Sequence, residues 1–386
     1  MAAKEYTQED IILAIQLSEQ QNNGKQYKKT IKKLKPILSS TNISNEQQQI
    51  QILQLLLEAY IELENLEDET FYQVLTTLMQ LDPKSTLSSN EKFFIFGQLL
   101  GGESGIQSYQ QGIENIKTKK EITEDDKSKM ISGYLSMCEI YMTDLCMLPE
   151  AEEQCENFLN ECLKVDENSA NVWLQYGSFK ISQQKFNDSL QCFEKAWSLF
   201  TTKAESSEES DSLNDLQFCY NLIKFLMELG QLDLSLEILN ESKKYEDDNI
   251  EGLYLEGFLN YLYLKIKNFN INQSLDINNK YTPDQFMNND LNATILETPV
   301  NLNNESLNEN VIDAKISFSY LLLLAENMNE IDEMVQEYIE GSNNILANEL
   351  GGAIDRQELI SLKKGDFIKD ADEVDLDNEN LSLIHI

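Results

Sequence analysis

The spacing of large and small residues between positions 171 and 197 restricts the fold of this chain more than any other feature. The segment reads NVWLQYGSFKISQQKFNDSLQCFEKAW, with Trp173 four residues before Gly177 and Phe193 three residues before Ala196. Residues three or four apart lie on one face of a helix, so each half predicts a helix that carries a ring and a small residue together. The two halves predict a hairpin in which Gly177 lets the second helix approach closely.

The same pattern recurs along the chain, which predicts an array of hairpins. Helical hairpins of ~34 residues that stack on copies of themselves are typical of tetratricopeptide repeats. One hairpin cannot bury enough apolar surface to offset the entropy of ordering it, so several copies are needed. We assign further copies to residues 11–39, 52–85, 136–169, 216–242 and from 250 onward. The predicted fold is all-α, an α-solenoid of tetratricopeptide-like hairpins over residues 1–267.

Three later segments depart from this period. Residues 268–310 are rich in asparagine with little apolar periodicity, which predicts a flexible insertion. Residues 311–365 resume a helical pattern and are predicted to cap the array. Residues 366–386 form an acidic tail that cannot bury enough apolar surface to fold, so we predict disorder there. Its last six residues, 381–386, match the translation of a transposon end used in preparing DNA libraries, and we interpret them as adapter read-through.

The charge balance favours a basic partner. Lys and Arg total 30 against 67 Asp and Glu, which gives a formal net charge of -37. Such a charge repels the phosphate backbone that dominates nucleic-acid affinity, so we do not expect direct nucleic-acid binding. It attracts cationic proteins or peptides and speeds their capture. Simple solubility is the alternative explanation of the charge.

Signals for membranes, secretion, metals and catalysis are missing from the sequence. No stretch reaches the roughly 18 apolar residues of a spanning helix, and MAAKEYTQED at the start lacks the apolar part of a secretory signal. We therefore expect no membrane association and a cytoplasmic and nuclear location. The six cysteines show no CxxC pair, so no metal site is predicted. The glycine-rich stretch GGESGIQ at 101–107 is not followed by the Gly-Lys-Ser/Thr of a phosphate-binding loop. We predict no cofactor and no catalytic residue, and therefore no enzyme.

Three segments resemble one family more closely than repeats in general. They are FGQLLGGESGIQSYQQGIENI at 96–116, MTDLCMLPEAEEQCENFLNECLKVD at 142–166, and the opening segment at 171–197. These segments resemble the fungal assembly chaperones of large-subunit ribosomal protein four. The resemblance extends from about residue 20 to the acidic tail.

The resemblance implies a dedicated, non-catalytic chaperone that captures the newly made ribosomal protein. Such a chaperone shields the long internal extension of its client and escorts the client into the nucleus for pre-ribosome assembly. An import receptor would then be reached through the client, and we expect the chaperone to act as a monomer. The extension is basic and disordered until it meets ribosomal RNA, so an acidic groove suits it.

Helix geometry predicts which residues line that groove. The inner helix of each hairpin directs its non-packing face toward the groove. Tyrosines that recur on this face suit cation-π contact with Lys and Arg. Core packing is the alternative for each aromatic residue, and an ordinary solvated carboxylate for each acid. The predicted client-binding residues are Tyr141, Asp144, Asn171, Gln175, Tyr220, Asn221, Glu228, Glu251, Tyr254 and Phe258.

A different class of function stays open at this point. A general scaffold or co-chaperone would bind another basic peptide, or clamp the C-terminal carboxylate of a peptide with Lys, Arg and Asn. Only Lys180 and Lys224 stand near the predicted groove. An enzyme is the third reading, and it would require an acid or base with a strongly perturbed pKa.

Overall fold

The computed structural model describes residues 6–38, 43, 45–206, 212–246, 248–328 and 330–362. Within these residues the chain is helical and contains no strand, so the predicted all-α class is confirmed. The described helices include none that is long and apolar enough to cross a membrane. The predicted acidic tail at 366–386, with the suspected read-through at 381–386, lies outside the described residues.

The chain divides into two compact units, Met1–Gln175 and Tyr176–Ile386. In the first unit, successive helices pair as hairpins, and the second helix of each hairpin contacts the first helix of the next. This order is that of a repeat array. The helices are α1 Gln8–Asn23, α2 Tyr27–Leu38, α3 Glu46–Glu62, α4 Glu69–Leu81, α5 Glu91–Leu100, α6 Gly102–Lys117, α7 Glu124–Met142 and α8 Ala151–Val165, and α9 Ala170–Ser182 spans the division.

Local sequence signals set where these helices begin. The Thr7 hydroxyl accepts a hydrogen bond from the backbone N–H of Asp10, and the Asp10 carboxylate accepts one from the N–H of Thr7, which starts α1. Thr123 and Asp126 repeat this exchange at the start of α7. Reciprocal bonds of this kind satisfy two backbone donors that a helix N-terminus otherwise leaves free.

The loop between α4 and α5 encloses a lysine. The Lys92 side chain is fully buried, and its ammonium donates hydrogen bonds to the hydroxyls of Ser85 and Ser88, each at 2.8 Å. Burial disfavours the charged form and lowers the pKa of Lys92 to about 8, although the nearby Asp82 carboxylate opposes the shift. The lysine therefore ties the loop to α5 at an electrostatic cost.

The part of the predicted hairpin that lies in the second unit, residues 176–197, forms the end of α9 and the start of the next helix. A Cβ added at Gly177 would lie 2.2 Å from Cε1 of Phe193, so the glycine sits directly under that ring. The Ser189 hydroxyl donates to the Gly177 carbonyl at 2.8 Å. Phe193 is fully buried and stacks on Phe225 with ring centroids 5.3 Å apart. The predicted close approach at the glycine is confirmed.

The second unit continues with hairpins and ends in three mutually packed helices. After α10 Phe186–Ser206, α11 and α12 pair, while α13 packs against α16 and α17 contacts both. Its elements are α11 Ser212–Glu228, α12 Leu232–Ser242, α13 Ile250–Asn272, α14 Pro283–Phe286, α15 Asn289–Glu297, a short 3-10 helix Glu305–Leu307, α16 Asn308–Ala325 and α17 Glu333–Asn348.

The segment 268–310 differs from the predicted flexible loop. Its first residues complete α13, and the buried Asn270 amide donates to the carbonyls of Ile277 and Asn279 at 3.2 and 3.0 Å. An asparagine-rich segment predicts a loop, but a buried amide with satisfied hydrogen bonds fixes the backbone instead. A small apolar core holds the same segment, formed by Phe269, Phe286 and Ile295.

Candidate functional site

The first unit has a cavity of about 600 Å³ between α5 and α7. These are the first helices of two successive hairpins, and the lining residues on each helix are three or four positions apart, as one helix face requires. We call this cavity the α5–α7 pocket. Its principal lining residues are Glu91, Phe94 and Gln98 from α5, and Ser132, Ser136 and Glu139 from α7.

The floor of the α5–α7 pocket is aromatic. Tyr109 of α6 reaches this floor by packing against Gly97 of α5. A Cβ added at Gly97 would lie 2.8 Å from two atoms of the tyrosine ring. The Tyr109 ring meets Phe94 edge to face with centroids 6.0 Å apart. Burial raises the pKa of Tyr109, while a hydrogen bond with Ser136 opposes the shift, so this hydroxyl stays protonated at neutral pH.

The rim of the α5–α7 pocket is acidic. The carboxylates of Glu91, Glu139 and Asp144 line it, and all three residues are exposed. Its one lining lysine, Lys129, is bound to Asp125 of its own helix at 2.7 Å, so its charge is largely compensated. An acidic rim above two aromatic rings suits a ligand that combines a positive charge with an apolar stem, such as a lysine or arginine side chain.

Asp144 has a structural task beside its place at the rim. One carboxylate oxygen accepts a hydrogen bond from the backbone N–H of Gly102 at 3.0 Å, at the start of α6. Gly101 has a positive φ of 58°, and a Cβ there would lie 2.8 Å from the same oxygen. Asp144 therefore caps α6 from the neighbouring hairpin. The predicted contact of Asp144 with a client remains a prediction.

The other predicted residues of the first unit lie away from this pocket lining. Tyr141 is half-buried, and its ring packs against Phe158 with centroids 6.0 Å apart. The Gln175 amide contacts the sulfur of Met142 at 3.7 Å. Asn171 is exposed in the first turn of α9. None of these three residues lines the α5–α7 pocket.

The predicted aromatic contacts of the second unit are packing residues. Tyr220 is 2% exposed, and its hydroxyl lies 2.4 Å from where a Cβ at Gly252 of α13 would stand. Tyr254 stacks on Tyr338 of α17 with centroids 4.7 Å apart, and Phe258 stacks on Tyr254 at 6.0 Å. The prediction that Tyr220 lines an open groove is wrong, and Tyr254 and Phe258 are half-buried. A tyrosine at this repeat position reaches the first helix of the next hairpin.

The predicted polar residues of the second unit have local partners or face solvent. Glu251 pairs with Lys224 at 2.5 Å, and the Asn221 amide oxygen accepts from Gln217 at 3.1 Å. Glu228 is exposed near the end of α11.

The lysines required for a carboxylate clamp are also engaged. The Lys180 ammonium donates to the side-chain oxygen of Gln183 at 3.0 Å and lies 5.1 Å from the Tyr176 ring centroid. Lys224 is held by Glu251, as described above. Binding a C-terminal carboxylate would require Lys224 to give up the carboxylate of Glu251.

Sequence reasoning missed most of the α5–α7 pocket. Only Asp144 among its lining residues was predicted, because the prediction followed tyrosines that recur between hairpins. The available signal was the pair of acids, Glu91 and Glu139, on the first helices of adjacent hairpins, together with Gly97 four residues before Gly101. That glycine spacing indicates a close helix approach, which brings Tyr109 to the floor.

Comparison with known proteins adds independent findings. Residues 248–377 match the family model described as the ACL4 C-terminal domain. A protein of Schizosaccharomyces pombe named "Probable assembly chaperone of rpl4" is 28% identical over 45% of this chain and 52% of its own length. The resemblance to the assembly chaperones of ribosomal protein four is confirmed. A protein of the same name from Emericella nidulans is 26% identical over 58% of this chain and 57% of its own length.

The chain thus spans about half the length of the curated relatives it matches. A solved structure titled "Assembly Chaperone of RpL4 (Acl4) (Residues 1-338)" superposes with a TM-score of 0.54 and 17% identity. The superposition covers 64% of this chain and 94% of the solved one. At this identity the similarity shows the fold, and it agrees with the predicted α-solenoid.

Proposed function

We propose that this chain is a dedicated, non-catalytic chaperone of large-subunit ribosomal protein four. The observation that carries the proposal is the acidic rim and aromatic floor of the α5–α7 pocket, in a chain whose relatives are named for this client. The chaperone binds the basic internal extension of the client, keeps it soluble as a one-to-one complex, and accompanies it from the cytoplasm to pre-ribosomes in the nucleus. An import receptor is recruited through the client.

The α5–α7 pocket supplies two kinds of contact to a basic extension. The aliphatic stem of a lysine or arginine lies against Phe94 and Tyr109, and its charged end meets Glu91 and Glu139. Two opposite charges 4 Å apart interact with ~1 kcal/mol in water and ~4 kcal/mol at an effective dielectric of 20. Because Glu91 and Glu139 are exposed, each contact lies nearer the lower of these values, and several contacts together are needed for firm binding.

This mechanism also explains why a chaperone is needed. An uncomplexed basic extension would bind other polyanions and aggregate, since it has no core of its own. Many contacts of moderate strength hold it while leaving it exchangeable. Ribosomal RNA, with a much denser negative charge, then displaces the chaperone at the assembly site.

Two double variants, each of which removes two negative charges, test the role of the pocket. Glu91→Gln with Glu139→Gln removes two rim charges, whereas Glu114→Gln with Glu153→Gln removes two exposed charges of the same unit that do not line the pocket. We expect the first pair to weaken binding of a peptide from the client extension about tenfold, equal to about 1.4 kcal/mol, and the second less than about twofold. Calorimetric titration of the full chain measures both.

An equal loss of affinity in the two pairs would contradict the pocket mechanism, because it would mean that only the net charge matters. An unchanged affinity in both pairs would place the client elsewhere on the chain. Far-ultraviolet circular dichroism of each variant confirms that the helices are retained.

A further inference from the structure

The chain concentrates positive charge in one short helix, α2, and the residues just before it. Residues 25–35 contain six of its 30 basic residues, and no Asp or Glu occurs between positions 20 and 45. The whole chain carries a formal net charge of -37. The client proposed above is basic, so it cannot use this positive segment, and the segment requires a separate explanation.

The lysines of α2 form an exposed face. The opposite side of the helix packs into the first unit through Thr30, Leu34 and Ile37, which are at most 2% exposed. Three lysines lie within one turn on the outer side and are exposed, and we call them the α2 basic face. They are Lys28, Lys29 and Lys32.

The α2 basic face has no compensating acid in the part of the chain that the structure describes. Lys29 donates only to the neutral side chain of Gln26, at 2.8 Å. Lys35, on the flank of the same helix, does find a carboxylate, that of Asp68 at 3.1 Å. No ion pair within 4.0 Å involves Lys28 or Lys32 among the described residues. The three charges of the face are thus available to an external anion.

Helix stability does not account for these lysines. Lys28 and Lys29 lie in the first turn of α2, which carries no acidic residue. The N-terminal end of a helix has a partial positive charge, so cations are unfavourable there and acids are preferred. Lysines that work against the helix dipole and form no ion pair with any described acid indicate a role in binding.

The surroundings of α2 restrict the kind of anion. Acids at the end of α3 and in the loop that follows it lie beside this helix: Asp68 reaches Lys35, and the charge of Glu62 contributes, after burial, to the raised pKa of Tyr27. A long polyanion such as RNA would extend from the α2 basic face over these carboxylates and be repelled. A short acidic segment fits, since Lys28 and Lys32 are about 6 Å apart along the axis.

We propose that the α2 basic face docks a short acidic segment of a partner protein. Lysine suits this task because its ammonium is a mobile point charge that pairs with carboxylates without a fixed geometry. Contacts of this kind set specificity and speed of association more than affinity. The chain then presents two surfaces of opposite charge in one unit, the α5–α7 pocket for a cationic ligand and the α2 basic face for an anionic one.

Fluorescence anisotropy on the full chain tests this proposal. The probes are a labelled 12-residue peptide of alternating Glu and Gly, a labelled 12-nucleotide single-stranded RNA and a labelled 16-base-pair RNA duplex. Lys28→Gln, Lys29→Gln and Lys32→Gln are combined in one variant. The matched control combines Lys120→Gln, Lys185→Gln and Lys195→Gln, which removes the same charge from exposed lysines elsewhere.

We expect the acidic peptide to bind the wild type and the control equally, and the α2 variant at least about tenfold more weakly, with the difference shrinking at high salt. Neither RNA should show binding that depends on α2. Equal weakening by the control, no peptide binding by the wild type, or RNA binding lost in the α2 variant would each overturn the proposal. Unchanged binding of the basic client peptide by both variants shows that the fold is retained.

Discussion

Replacing Gly177 by alanine tests the packing that defines the repeat, because two effects of opposite sign compete. Alanine favours a helix interior over glycine by about 1 kcal/mol, so helix propensity alone predicts stabilisation. The added Cβ would lie 2.2 to 2.8 Å from three atoms of the Phe193 ring, whereas ordinary contacts are 3.4 Å or longer. The ring cannot retreat freely, since it is fully buried and stacked on Phe225.

The contact should decide the sign. Overpacking of a buried site costs roughly 1–3 kcal/mol, and an overlap this close belongs at the upper end. Subtracting the gain in propensity leaves a net loss of about 2 kcal/mol. For a unit of about two hundred residues, this corresponds to a fall in melting temperature of roughly 4–8 °C.

Thermal unfolding followed by circular dichroism measures the change, and a double variant provides the control. In a chain that carries Phe193→Leu, the narrower side chain leaves space for the new methyl group, so Gly177→Ala should cost much less there than in the wild type. A variant that is stabilised by about 1 kcal/mol would refute the reasoning, since propensity alone would then govern the site.

Two further predictions concern buried side chains. The pKa of Lys92 is lowered to about 8 in the folded protein, against 10.5 in the unfolded chain, so its charge weakens the native state most below pH 8 and this penalty falls as the pH rises toward 10.5. Raising the pH from 7.5 to 9.5 should therefore stabilise the wild type by about 2 kcal/mol relative to Lys92→Gln, measured by urea unfolding. A constant difference in stability between the two proteins would contradict the lowered pKa. Of the six free cysteines only Cys146 is exposed, so a thiol reagent should modify one site rapidly in the native chain and six in denaturant, and rapid modification of several native sites would contradict the packing.

The repeat could be predicted from the sequence because it rests on local spacing. Trp173, Gly177 and Phe193 are fixed by helix periodicity and by the volume between two helices, and both are visible in a single segment. The confirmed fold class follows from the recurrence of that spacing. The assignment of the second unit was harder, because an insertion separates α13 from α16, its hairpin partner.

The binding surface was harder to predict because periodicity does not distinguish a groove from a contact between hairpins. Tyr220 and Tyr254 recur at one repeat position, as client-binding residues would, but that position faces the next hairpin. Tyr109 is the opposite case, since it lies on α6, the second helix of its hairpin, and reaches the α5–α7 pocket only because Gly97 leaves room. Contacts among three helices are required to identify such a residue.

Composition misled the prediction for the insertion in a similar way. Asparagine is common in flexible segments, so composition predicts a flexible insertion at residues 268–310. The amide of Asn270 instead donates hydrogen bonds to two backbone carbonyls. Phe286 and Ile295, which lie later in the segment, pack in one buried apolar cluster with Phe269 of α13. A few buried residues in a polar segment are enough to order it, and composition averages them away.

Calorimetric titration of the full chain with a peptide spanning the basic internal extension of large-subunit ribosomal protein four tests the central proposal most directly. A scrambled peptide of equal charge is titrated beside it, at low and moderate salt. A dedicated chaperone with a shaped acidic site should bind the true peptide tightly, with moderate salt sensitivity, and the scrambled peptide much more weakly. Equal binding of the two peptides would contradict the proposal, because the chain would then be a general attractor of cations.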